Sequence, residues 1–323
     1  MTVEVINNFR RLIEIEPEWS TFARAIDSST IFQLPNWLLT WWRHFGNGQL
    51  HVVVFRDLDK VAGIVPCFLH DWNGKRQMTL IGSGISDYLE PPIAKEHCSA
   101  IINHLQAHLR ADRSWEICDW QDLCVETPLK KFASSVVEDT DCYAVPLVGT
   151  FEEFWQARSQ NLRRNVRRYR QKAESRGALE FDVSAQPDAE VVQALIQLHA
   201  ARWQKHGEPG MIEANGTAAF IQDIACKFAS SGMLRIFSLR FDTRVAAVIL
   251  GFEYANTLFG YLSAFDPRYE ELGLGRLLIY DSLRYSFERG YTKWDFLRGN
   301  EPYKQWWGAQ RVAKCRVIIA RKA

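Results

Sequence analysis

Residues 51–70 and 235–254 align without a gap, and this repeat constrains the fold more than any other feature of the chain. The first segment reads His-Val-Val-Val-Phe-Arg-Asp-Leu-Asp-Lys-Val-Ala-Gly-Ile-Val-Pro-Cys-Phe-Leu-His. The second reads Arg-Ile-Phe-Ser-Leu-Arg-Phe-Asp-Thr-Arg-Val-Ala-Ala-Val-Ile-Leu-Gly-Phe-Glu-Tyr. Each is an apolar run, a polar turn and a second apolar run, the pattern of a β-hairpin. Arg56/Arg240, Val61/Val245, Ala62/Ala246 and Phe68/Phe252 are identical pairs. The repeat extends beyond the hairpin. In the first half a strand-like stretch at 84–92 leads to a helix near 100–110 and a strand at 115–120. In the second half a strand at 257–265 leads to a helix near 275–289 and a strand at 292–297. Trp115-Glu116 and Trp294-Asp295 open corresponding strands. Both halves thus read β-β-β-α-β, and a helix between two strands makes them parallel neighbours. The expected fold class is α/β (α+β): two tandem units, 1–150 and 151–323, each a mixed, mostly antiparallel sheet flanked by helices. Internal duplication is the economical origin.

The 323 residues agree with about two domains. Lys and Arg exceed Asp and Glu by one, so no global field draws the chain to nucleic acid or membrane. Seven cysteines occur without a C-x-x-C pair, which argues against a zinc knuckle or disulfide framework and for a reducing, cytoplasmic setting. Neither a secretory leader pattern nor an apolar run long enough to span a membrane is seen. His104 and His108 have metal-ligand spacing on a helix, but no third ligand suggests itself, so a solvated face and no metal are expected. The Gly-x-Ser-x-Gly nucleophile pattern is not matched at Ile81–Ile85.

Two segments concentrate polar chemistry. Residues 159–172 predict a helix with Ser159 as N-cap, an apolar stripe of Leu162, Val166 and Tyr169, and a basic stripe of Arg163, Arg167 and Arg170. Such a helix either holds phosphates or is a solvated face balanced by nearby acids. Residues 295–307, Asp-Phe-Leu-Arg-Gly-Asn-Glu-Pro-Tyr-Lys-Gln-Trp-Trp, put Asp295, Arg298, Glu301, Tyr303 and Lys304 directly after a strand, where loops present side chains to ligands. The competing reading is an Arg298–Glu301 ion pair that caps the next helix.

The second half resembles the GNAT acyltransferase superfamily. The whole chain is similar to the CelD-type acetyltransferases associated with cellulose and exopolysaccharide synthesis, relatives of the FemAB aminoacyl-tRNA-dependent transferases. Residues 159–168, Leu272-Gly273-Leu274-Gly275-Arg276 and the 295–306 segment carry the resemblance. It implies an acyl-CoA co-substrate, acetyl-CoA first, whose pyrophosphate rests on Leu272, Gly273, Leu274, Gly275 and Arg276 at a helix N-terminus. It implies that Tyr261, Leu262 and Ser263 lie on the strand whose backbone N–H groups meet the thioester oxygen. An amine or hydroxyl of a sugar, nucleotide-sugar or related small molecule would attack directly. Asp295 and Glu301 are the base candidates, and Tyr303 is the candidate acid for the leaving thiolate. Arg163, Arg167, Arg298, Lys304 and Trp307 would bind donor or acceptor. Glu270 stands where the superfamily has Gln or Arg. The first half has no Gly-x-Gly before its helix and reads as a copy that lost the donor site, with Ser86-Asp87-Tyr88 as a candidate wall of an acceptor groove. The same resemblance leaves two alternatives: a FemAB-like transferase that takes its acyl group from charged tRNA, and a non-catalytic accessory of polysaccharide synthesis.

Overall fold

The computed structural model describes residues 1–206 and 216–321; the turn expected at 207–210 lies outside them. The chain divides into two compact units, Met1–Thr140 with Ala313–Ala323, and Asp141–Val312. The first holds β1 (Thr2–Ile6), β2 (Gln49–Asp57), β3 (Lys60–Trp72), β4 (Lys75–Leu80), β5 (Ile117–Cys124) and β6 (Ser135–Glu138). Its helices are α1 (Phe9–Glu14), α2 (Glu16–Ala25), α3 (Pro35–Phe45) and α4 (Cys98–Ala111). The second holds β7 (Cys142–Pro146), β8 (Leu179–Ser184), β9 (Leu234–Phe241), β10 (Arg244–Tyr254), β11 (Thr257–Phe265), β12 (Lys293–Arg298) and β13 (Gln310–Val312). Its helices are α5 (Phe151–Gln156), α6 (Gln160–Glu174), α7 (Ala189–His206), α8 (Thr217–Ser230), α9 (Leu274–Glu288) and α10 (Pro302–Trp306). The last strand, β14 (Lys314–Ala320), returns to the first sheet.

The two sheets have one plan. The first runs β1-β2-β3-β4-β5-β14-β6 and the second β8-β9-β10-β11-β12-β7-β13. In each, the fourth and fifth strands pair in parallel across a helix, α4 or α9, and the other pairings are antiparallel. The expected boundary at 150 therefore moves to 140, and the C-terminal strand changes unit. The sixth place in the first sheet is taken by β14 and in the second by β7. Alternation within a strand says which face is buried, not which sheet it joins, so this exchange left no mark in the sequence pattern.

The repeated hairpin matches residue by residue. Arg56 faces Val61 and Phe55 faces Gly63, which leaves Ala62 as a bulge; Arg240 faces Val245 and Leu239 faces Ala247, which leaves Ala246 as a bulge. The turn residues Leu58 and Asp242 both have positive φ, 53° and 55°. Arg56 grips Glu18 of α2 with two bonds of 2.6 and 2.8 Å, and Arg240 grips Glu190 of α7 with two of 3.1 and 2.8 Å. The Arg shared by both copies thus ties each hairpin to a helix.

The units part at the strand after the hairpin. In the second, β11 runs unbroken along β10 to Phe265, and Asp266 N–H donates to the Ala246 carbonyl at 2.8 Å. In the first, β4 ends at Leu80 and residues 81–91 leave the sheet. The chain rejoins β3 at Pro92–Ala94, where Ile64 N–H donates to Pro92 and Ala94 N–H to Ala62. The third strand expected at 84–92 is accordingly β4, at 75–80. The bulges that bend β5 and β12 also correct the expected match of Trp115 with Trp294. Asp122 (φ 58°) and Leu297 (φ 60°) are the equivalent points, and Trp115 precedes β5.

Candidate active site of the second unit

The site begins where two strands separate. β11 and β12 pair only from Thr257–Lys293 to Phe259–Asp295. Beyond that, β12 stays only with β7, as far as Arg298 opposite Cys142, while β11 stays with β10. Two backbone irregularities produce the split. In β11, Gly260 pairs with Gly251 and Leu262 with Leu250, so Tyr261 is an extra residue that re-aims the strand. In β12, Leu297 takes a left-handed conformation that a branched side chain rarely adopts. Asp295 holds it: its Oδ1 accepts the Leu297 N–H at 2.9 Å.

A cavity of about 260 Å³ opens beside the split. One wall is β10 and β11, through Val248, Ile249, Ser263, Ala264 and Phe265. Another is the start of α9, through Gly273, Leu274, Gly275 and Arg276. Tyr169 of α6 and Tyr303, Trp306 and Trp307 at α10 complete it, with Glu270 at the rim. The α9 end is built by glycine. Gly273 is the N-cap at φ 61°, and a Cβ there would stand 2.7 Å from the Tyr169 ring. A side chain is thus excluded both by backbone conformation and by contact. The Leu274 and Gly275 amides that open this 15-residue helix lie at this wall, while the Arg276 N–H already donates to the Gly273 carbonyl at 2.9 Å. They favour a negative charge in the cavity. Arg276 adds a cation held between two rings, 5.2 Å from the Tyr169 centroid and 5.1 Å from that of Trp306. Trp307 is buried and stacks on Trp155 at 6.1 Å.

The sequence-expected residues divide into two groups. Ser263, Gly273, Leu274, Gly275, Arg276, Tyr303 and Trp307 line the cavity. Tyr261, Leu262, Leu272, Asp295, Glu301, Arg163, Arg167, Arg298 and Lys304 do not. Tyr261 is the bulge and packs against Phe252, while Leu262 and Leu272 are core. Asp295 is 1% exposed and engaged with backbone, which argues against a base that meets an acceptor.

Lys304 requires a correction. It is buried, and its ammonium gathers the carbonyls of Leu297, Arg298 and Gly299 and the Glu301 carboxylate, the last at 3.0 Å. With its donors satisfied in this way it serves as the knot that closes the turn after β12, not as a ligand group. Glu301 is exposed at the start of α10, where its carboxylate pairs with Lys304. The polar run at 295–304 thus mostly builds the turn that aims Tyr303, Trp306 and Trp307 at the cavity.

The basic helix α6 behaves similarly. Ser159 caps it as expected, its Oγ accepting the Leu162 N–H at 3.2 Å. Arg170 forms two bonds of 2.8 and 2.7 Å to Asp281 of α9, whose carboxyl is pushed up by burial and pulled back down by Arg170. Lys172 and Arg176 both bind Glu271. Arg163 is half-buried and bonded to Gln156; Arg167 is exposed. Tyr169, read from sequence as a member of the apolar stripe, is a wall of the cavity. Periodicity places a tyrosine on a face without saying whether the face meets core or ligand. Trp306, one position from the expected Trp307, is missed as well, as are the apolar wall residues Val248, Ile249, Leu278 and Ile279.

Comparison with known proteins agrees with this geometry. Residues 160–305 match the family model described as "Acetyltransferase (GNAT) domain". The solved structure of FemX superposes with a TM-score of 0.66 at 11% identity over 98% of this chain and 97% of that one. A conserved protein of unknown function from Bacteroides thetaiotaomicron gives 0.64 at 11% identity over 99% and 100%. A tandem GNAT protein from the clavulanic acid biosynthesis pathway gives 0.53 at 12% identity over the full length of both. No curated protein matches the sequence. The chain therefore has the fold of two GNAT-like units in tandem. Its second unit, with the splayed strands and the glycine-started helix, is the one that carries the acetyltransferase domain match. Among the described residues, no helix is long and apolar enough to cross a membrane.

Proposed function

We propose that the second unit transfers an acyl group, acetyl in the first instance, from coenzyme A to an amine or hydroxyl of a small acceptor, with a sugar or nucleotide-sugar as the class the CelD-type resemblance suggests. The observation that carries this reading is the split between β11 and β12, open beside the first turn of α9. An anionic donor would bind its phosphates at Gly273–Arg276. Its thioester would lie along β11, whose backbone N–H groups past Phe259 are not used by β12. The acceptor atom bonds to the thioester carbon, the C–S bond breaks, and the thiolate takes a proton. Tyr303 on the cavity wall is our candidate for that proton. Of the two base candidates, the exposed Glu301 is open to an acceptor, and Asp295 is enclosed. Arg163, Arg167 and Arg298 remain candidates for acceptor or donor charge.

Charge favours a small donor over tRNA. The chain is near neutral, and Arg170 and Lys172 of α6 are paired with Asp281 and Glu271, so Arg163, Arg164, Arg167 and Arg168 are what the helix offers a polyanion, a small surface for a tRNA. The test is thiol release from acetyl-CoA against a panel of amino sugars and nucleotide-sugars. Tyr303→Phe should lower turnover about tenfold or more while sparing donor affinity. Loss of donor binding instead would move Tyr303 to a different subsite, and no turnover with any acyl-CoA would remove the reading.

A further inference from the structure

The first unit contains a cluster for which acyl transfer has no use. His51 lies near the start of β2 and is 8% exposed. His108 is in the last turn of α4, and Asp112 is the C-cap four residues on. His51 Nε2 stands 2.9 Å from His108 Nε2 and 3.5 Å from Asp112 Oδ2, and the three donor atoms all lie within 4.8 Å of one another.

We propose that His51, His108 and Asp112 bind a divalent transition-metal ion, zinc in the first instance, that clips the end of α4 to β2. Zinc takes imidazole nitrogen and carboxylate oxygen at about 2.0–2.1 Å in a tetrahedron, so neighbouring ligand atoms stand roughly 3.3 Å apart. The separations of 2.9 and 3.5 Å lie on either side of that edge. The rings are inclined by 34° with centroids 5.2 Å apart, so their Nε2 edges converge instead of their faces stacking. The carboxylate is oriented from behind: Ser114 N–H donates to Oδ1 at 2.8 Å and Ser114 Oγ to Oδ2 at 2.9 Å. Such outer partners are what hold a ligand in place for a metal. Three protein ligands leave a fourth position for water.

The repeat supplies an independent argument. The gapless alignment puts Arg235 at the place of His51. There Arg235 pairs with Glu253, and Glu253 accepts the Tyr291 hydroxyl just beyond the end of α9. In the second unit, then, a network of protein charges fastens the helix end to the hairpin. In the first, two imidazoles and a carboxylate occupy the same place, and His51 stands there instead of a guanidinium. A cation completes the first arrangement as the guanidinium completes the second. Helical spacing in the sequence pairs His108 with His104; in the fold its partner is 57 positions away on a strand.

The test uses the full chain stripped with a chelator and titrated with zinc chloride by calorimetry. One equivalent should bind with a dissociation constant below about 10 µM. Cobalt in its place should give the visible absorption of a four-coordinate site. Asp112→Asn, which keeps the Ser114 contacts, and His108→Gln should each weaken zinc about tenfold or more. Zinc should raise the melting temperature of the parent chain but not that of His108→Gln. A folded, stripped chain that shows neither heat nor a melting shift at about 1 mM zinc overturns the proposal. So does one-equivalent binding of unchanged affinity in both variants, which would place the ion on cysteines elsewhere.

Discussion

Between the hairpin and the helix after it, the first unit spends residues 81–91 on an excursion, and the second spends none. The excursion is tied across the place where the second unit has its split. Ile81 N–H donates to Pro66 on β3, Leu89 N–H donates to Asp122 on β5, and the Lys314 ammonium binds the Asp87 carbonyl and the Asp122 carboxylate. Ser86 and Asp87, expected as a groove wall, are buried in this plug, with Ser86 Oγ accepting from the Trp37 indole at 2.8 Å. The gap that stays open between β11 and β12 in the second unit is thus filled by protein in the first. The residues Pro267–Leu272 and Gly273 then set up α9, whereas α4 starts after His97 with no glycine. The comparison teaches how one sheet plan yields either a ligand site or a scaffold: the deciding element is what fills the gap between the fourth and fifth strands.

The largest expected effect comes from the plug and from the turn knot. Lys314 and Asp122 are 1% and 3% exposed, and removing one member of a buried pair strands the other's charge. Lys314→Met should destabilise the first unit by about 3–5 kcal/mol and leave acetyl-CoA affinity unchanged. Lys304→Met should cost the second unit about 3 kcal/mol, because three carbonyls and Glu301 lose their donor, and it should weaken the donor through displacement of Tyr303 and Trp306. Denaturation with hydrogen exchange resolved by unit checks both. Loss of binding in Lys314→Met would break the division of labour.

A pH effect of intermediate size separates the units. Glu90 in the excursion accepts the Thr127 hydroxyl at 2.7 Å and the Cys124 N–H at 3.2 Å, yet burial pushes its carboxyl up to about 7 from 4.5. A carboxyl raised on folding binds its proton more tightly in the native chain. Its contribution is therefore complete below pH 4.5 and is lost as pH rises through 7, at most about 3 kcal/mol. Glu90→Gln should flatten the stability of the first unit between pH 5 and 8, measured by urea unfolding at each pH. An unchanged slope would show that another group carries it.

The smallest effect concerns Glu270, a carboxylate on the same cavity as Arg276. Across solvent its repulsion of a pyrophosphate is worth about 1 kcal/mol or less. Glu270→Gln should tighten acetyl-CoA about threefold, and weaker binding would mean that Glu270 serves the ligand.

The duplication, the repeated hairpin and the helices expected near 100–110, 159–172 and 275–289 are legible in the sequence because they depend on local alternation and spacing. The Ala62 and Ala246 bulges even fall on residues identical in the two copies. The strand exchange and the plug are not legible, because both depend on which distant backbone a segment meets. At the site, Gly273 is readable because backbone conformation and close approach demand glycine. The role of Lys304 is not, since a lysine bound to carbonyls and a lysine awaiting a phosphate look alike in sequence. Tyr169 reads as core for a similar reason.

Calorimetric titration of the full chain with acetyl-CoA tests the central claim most directly. One molecule should bind per chain, and Gly273→Val, which drives a side chain into Tyr169 at a left-handed φ, should abolish the heat with the fold retained. Two molecules per chain, or undiminished binding to Gly273→Val, would contradict a single donor site at the start of α9 beside the splayed strands.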